Sequence, residues 1–143
     1  MLKPAAFLGL AAVAAACVHI VAPPTPQGLP LTLDQGWDDA TRELFYFTPQ
    51  GSRMIPNAWF RALEVPDGDG LFSAPDNLAQ YGLIPSPAAS TLNPDNYPIG
   101  FALDVGPEDT RHVGLTCAAC HTAVVTVDGR QIRIDGAPAH LDF

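Results

Sequence analysis

Two thiols and an imidazole lie within five consecutive residues, Cys117-Ala118-Ala119-Cys120-His121. These residue types at this spacing are the signal for covalent haem attachment. Residues i and i+3 of a helix share a face, so Cys117 and Cys120 can reach the two vinyl groups of one porphyrin. His121 follows directly, where its imidazole lies under the ring and can bind the iron. The expected cofactor is therefore a covalent haem c with its iron. Cys117, Cys120 and His121 are its binding residues, and His121 is the metal ligand. Two other chemistries use the same pair of cysteines. Half of a zinc site would need a second Cys/His pair at tight spacing. A thioredoxin-like dithiol would need a βαβ pattern around it. Cys17 is the only other cysteine, and His19, His112 and His140 make no second pair.

The elements that must position this motif are short. The chain has 143 residues with 15 prolines and 12 glycines, so it holds at most one small domain rich in loops. The formal charge of −8 argues against nucleic acid and against anionic lipid as partners. An acidic haem protein suits a basic or neutral redox partner protein.

Residues 1–17 read as an export segment. Met-Leu-Lys opens the chain and an apolar run from Ala5 to Ala16 follows, as in a secretory signal. Val13-Ala14-Ala15-Ala16-Cys17 is similar to a lipoprotein cleavage site, with Ala14 where leucine is usual. Ordinary cleavage near Ala16 is a second reading. An uncleaved anchor running to Ala22, interrupted by His19, is a third. All three place the remainder in the periplasm or outside the cell, with a membrane tether in the first and third. Residues 18–30 form a Pro-rich tether and residues 31–143 the haem domain.

Within that domain the expected fold class is mainly α with irregular loops, a cytochrome c-like arrangement of short helices with a β-hairpin after the haem motif. Trp37–Phe47 reads as a helix capped by Asp34 or Asp38, with Trp37, Ala40, Leu44 and Phe47 as its apolar face. Pro56–Glu64 reads as a second, with Trp59, Phe60 and Leu63 inward, and both tryptophans are core residues, or one of them edges the haem. Pro66-Asp67-Gly68-Asp69-Gly70 is a polar turn that lacks the closing glutamate of a calcium loop. A third helix is expected over 74–81 and an irregular stretch over Pro85–Pro98. Ile99–Val105 reads as a strand, Gly106–Arg111 as a polar loop, and Val113-Gly114-Leu115 as the lead-in to the haem helix. After His121, Val125, Val127, Ile132 and Ile134 alternate with Thr126, Arg130, Arg133 and Asp135 about an Asp128-Gly129 turn, which predicts a hairpin. Arg130 and Arg133 are then solvated strand charges, or partners of haem propionates.

Several strings carry a resemblance. They are Thr48-Pro49-Gln50-Gly51-Ser52, Asn57-Ala58-Trp59-Phe60-Arg61-Ala62-Leu63-Glu64, Pro98-Ile99-Gly100-Phe101, and Gly114-Leu115-Thr116-Cys117-Ala118-Ala119-Cys120-His121-Thr122 with Ile134-Asp135-Gly136-Ala137-Pro138-Ala139. Together they resemble the N-terminal part of the exported di-haem c-type cytochromes that include the bacterial rubber oxygenases, the latex-cleaving enzymes. The resemblance implies that Cys117 and Cys120 hold the first of two haems, that His121 is its proximal ligand, and that dioxygen binds on its distal side. It implies electron transfer or oxygen-dependent oxidation. Here there is one Cys-x-x-Cys-His and 22 residues follow His121, so the chain is expected to be the N-terminal fragment of such a protein.

A self-contained mono-haem electron-transfer cytochrome is the alternative. No methionine follows His121, so its sixth ligand would be His140, His112 or Met54. A haem-free, lipid-tethered binding module is the third reading. Substrate and redox potential are not legible.

Overall fold

The computed structural model describes residues 28–66 and 68–142. The export segment with Cys17, most of the tether with His19, Asp67 and Phe143 lie outside the described residues.

The fold is mixed, not mainly α. Four short helices and two three-stranded sheets share the described residues about equally between helix and strand. The first sheet has the order β1-β6-β5, where β1 is Leu31–Thr32, β6 is Arg130–Asp135 and β5 is Thr122–Val127. The second has the order β2-β4-β3, with β2 at Ile55–Pro56, β4 at Arg111–Leu115 and β3 at Phe101–Val105. The helices are α1 (Asp39–Phe47), α2 (Asn57–Ala62), α3 (Pro75–Gln80) and α4 (Cys117–Cys120). The reason for the difference is local. Each of β1 and β2 is two residues long, too short to show an alternation, and β4 incorporates the segment read as a lead-in. Strands this short form because the partner strand is present, not because their own residues demand it.

The hairpin β5–β6 forms around Asp128 and Gly129, whose φ values of 50° and 76° are both left-handed, as a two-residue primed turn requires. Parallel pairing of Leu31 with Ile132 and Thr32 with Arg133 then ties the start of the domain to its end.

α1 begins later than the periodicity predicts. Asp38 is its cap, accepting from the Thr41 amide at 2.8 Å, and hydrogen bonding from Thr41 holds the Asp38 carboxyl below its ordinary range. Its buried residues are Arg42, Tyr46 and Phe47, whereas Leu44 is 58% exposed. The expected apolar face is therefore rotated. The cause is a buried acid on β6, Asp135, which draws Arg42 and Tyr46 inward. α2 ends two residues earlier than predicted. Phe60 is buried, but Leu63 is exposed and Trp59 is 69% exposed. Trp37 also reaches solvent and stacks edge-on against Phe45 at 5.3 Å. Neither tryptophan is a core residue.

The core has two clusters. Phe60, Leu78, Leu83, Tyr97, Phe101 and Val113 fill one, between α2, α3 and the second sheet. Tyr46, Phe47, Ile99 and Ala118 fill the other, between α1 and α4. The Pro-rich stretch that links them is held by Asn93, whose side chain donates to the Tyr97 carbonyl and accepts from the Tyr97 amide, both at 2.8 Å. Tyr97 in turn donates to Asn57 Oδ1 at 2.6 Å. These bonds replace the ladder that prolines deny to this segment.

Candidate haem-attachment site

The site is one helical turn. Thr116 starts α4, because its hydroxyl accepts from the Ala118 amide at 3.2 Å and itself donates to the Tyr46 carbonyl at 3.1 Å. The Ala118 and Ala119 methyls point into the core and are 1% and 3% exposed. Cys117, Cys120 and His121 are all exposed. A four-residue turn has room for one inward and one outward side, and small residues inside let it lie against α1 and Ile99. The chemistry-bearing residues thus share the outward side. Both thiols are free, and Cys117 Sγ donates to Gln50 Oε1 at 3.1 Å.

The turn is fastened on every side by backbone bonds. The Thr116 amide donates to Gly100 O at 2.8 Å, and the His121 amide closes the turn onto Cys117 O at 2.9 Å. From the chain beyond the hairpin, Gly136 donates to His121 O at 2.7 Å and Ala139 to Cys120 O at 2.9 Å. Gly100, at φ 92°, lies directly beneath the turn. A Cβ there would overlap the backbone of Ala119.

Beside the turn lies a buried polar network. Asp135, 5% exposed, accepts from the Tyr46 hydroxyl at 2.5 Å and from Arg42 Nε at 3.3 Å. Burial and then the Asp135 hydrogen bond hold the Tyr46 phenol well above its ordinary range. Gln35 brackets the Asp135 backbone, accepting from its amide and donating to its carbonyl, each at 2.9 Å. Arg133 lies over the Tyr46 ring at 5.2 Å and donates to Thr32 Oγ1 at 2.7 Å.

Arg133 is therefore not a solvated strand charge, and Asp135 two residues on is buried with it. The face of β6 that reads as polar is its more buried face, because α1 supplies Tyr46 and Arg42 opposite it. Arg130 remains exposed. The residues that sequence reasoning missed are Gln50, Thr116, Tyr46, Arg42 and the buried role of Asp135. A Thr directly before the first Cys was the available signal for the cap. The others come from segments far apart in the chain and have no local signal.

The axial-ligand candidates are spread out. Met54 is 67% exposed and its amide bonds the Val113 carbonyl in the second sheet. His112 is on β4, with its ring nitrogen 3.1 Å from Thr110 O. His140 is exposed and follows Ala139, the residue bonded to Cys120. Among the described residues no three His, Cys, Asp or Glu side chains are grouped to hold a bare metal ion. A porphyrin iron differs in that demand: the ring supplies four donors, and the chain need supply only His121. The donor set fits a haem in this sense, with two free thiols and one accessible imidazole on a single outward turn. Among the described residues no helix is long and apolar enough to cross a membrane.

No family model matches the chain, and no solved structure matches it. It is similar to a curated protein of Sinorhizobium fredii (strain NBRC 101917 / NGR234), described as "Uncharacterized protein y4iJ", at 31% identity over 132 residues. The match takes in 78% of this chain and 21% of the relative, so the chain spans about a fifth of that protein's length.

Proposed function

We propose that the protein is an exported c-type haem-binding redox protein, with haem bonded through Cys117 and Cys120 and its iron bound by His121. One observation carries this reading: α4 buries its two alanines and presents both thiols and the imidazole together at the surface. Attachment would add each S–H across one vinyl double bond. A carbon–sulfur bond forms, the hydrogen goes to the other vinyl carbon, and no oxidant is needed. Bound haem supplies one-electron redox chemistry and, where the sixth position is open, binding of small ligands. The chain's own part is to hold the sulfurs one helical turn apart and to fix the imidazole at the end of that turn.

Export is proposed from the N-terminal segment, and a redox partner protein from the acidic charge. Participation in a di-haem protein, and any oxygen-dependent oxidation, rest on the resemblance alone. The test is expression in cells competent in haem maturation, followed by mass spectrometry of the peptide spanning residues 117–121. One haem of added mass at Cys117 and Cys120 is expected. A colourless product with both thiols free overturns the proposal and leaves the haem-free module. Replacing either cysteine by alanine is expected to leave one thioether, and replacing both to abolish covalent haem. The ferric absorption spectrum separates an open iron, which is high-spin, from a six-coordinate carrier, which is low-spin.

A further inference from the structure

Both ends of the Cys-x-x-Cys-His turn lead back to one residue, Tyr46. At the start of α4, Thr116 Oγ1 donates to the Tyr46 carbonyl. At its end, the Gly136 amide donates to the His121 carbonyl, and Gly136 follows Asp135, the acceptor of the Tyr46 hydroxyl. Asp135 also sits across the hairpin from Thr122, the residue after His121. Tyr46 therefore bridges the turn through its backbone on one side and its phenol on the other. Its ring is boxed by Arg133 above and Phe47 edge-on at 5.9 Å.

We infer that Tyr46 and Asp135 are positioning residues for His121. They set where the end of α4 carries the imidazole. The Tyr46 hydroxyl is the adjustable part. A hydroxyl donating to a buried carboxylate is a strong, directional bond, so its loss leaves Arg42 and Gln35 on Asp135 and loosens the β6 end against α1. That shift passes through the Gly136–His121 bond to the residue proposed to hold iron. The iron part of this inference rests on the haem proposal; the positioning part does not.

The experiment has two arms, both on the full chain. In the haem-free protein, amide hydrogen exchange is read at Ala118, His121 and Gly136 relative to the slowest amides of β3 and β4. Tyr46→Phe and Asp135→Asn are expected to raise that ratio at least about tenfold, the size set by losing a charge-assisted hydrogen bond. Arg61→Ala, which breaks the exposed Arg61–Asp95 pair outside β3 and β4, is expected to leave it unchanged. Dividing by β3 and β4 removes any general loss of stability, which would raise all rates together. In the haem-loaded protein, the same two variants are expected to keep both thioethers and to shift the iron–imidazole stretching band. An unchanged exchange ratio in Tyr46→Phe overturns the inference, whatever the haem content. An altered ratio with an unshifted iron band overturns its iron part. A wild-type chain that takes no haem defeats the proposed function, while the exchange arm still decides the positioning role. Should Asp135→Asn fail to fold, Tyr46→Phe decides, since it keeps the ring and the acid.

Discussion

Gly100 lies so close to Ala119 that a single methyl on it would meet the Ala119 methyl at 2.7 Å and overlap the backbone behind it. The proposed haem turn thus rests on bare backbone. Gly100→Ala adds that methyl at a φ of 92°, where an L side chain is strained in any case. Neither neighbour is the end of a flexible side chain, so the turn must move. The expected cost is about 1–3 kcal/mol or more, read by urea denaturation, together with a lower yield of covalent haem. Unchanged stability and yield would show that the contact is not kept in solution.

Thr122 is 2% exposed, and its hydroxyl has no hydrogen-bond partner among the described residues. A buried hydroxyl without a partner costs roughly 1–3 kcal/mol. Thr122→Val removes the hydroxyl and keeps the branched shape. The variant is expected to be as stable as wild type or more stable, by up to about 1 kcal/mol. Clear destabilisation by thermal melting would reveal a partner, such as a trapped water.

Tyr97 and Tyr46 are expected to weaken the fold at alkaline pH. Burial raises the Tyr97 phenol from 10.0 to about 12, with the neighbouring Asp95 charge adding to it. The Tyr46 phenol is raised by burial and by Asp135. The folded state thus prefers the neutral phenols. Their contribution is fully present below pH 10, the unfolded value, and is lost as pH climbs toward the folded values. Wild type is expected to lose stability between about pH 10 and 12, and Tyr97→Phe to show a shallower fall. Denaturant midpoints measured across that range check the sign. Equal slopes in both proteins would contradict it.

Trp59 offers the reverse case. At 69% exposed it adds little to the core despite its size. Trp59→Ala is expected to change stability by less than about 0.5 kcal/mol, whereas Phe60→Ala next to it should cost about 3–5 kcal/mol. Equal costs in a melting experiment would mean that α2 is turned about its axis relative to this structure.

The helical turn at Cys117–Cys120, the hairpin turn at Asp128-Gly129 and the three proline-bounded helices were legible in the sequence. Each depends on residues within a few positions of one another, where sterics and hydrogen bonding act locally. The mixed architecture was not legible, and neither was the buried side of α1 or β6. Leu31 pairs with Ile132, Tyr46 with Asp135, Gln35 with Asp135 and Gln50 with Cys117, all across long stretches of chain. Periodicity alone assigns Leu44 to the core and Asp135 to water. Tertiary contact reversed both, because an acid bonded by a phenol and a guanidinium can be buried, and it takes its partners' helix face inward with it.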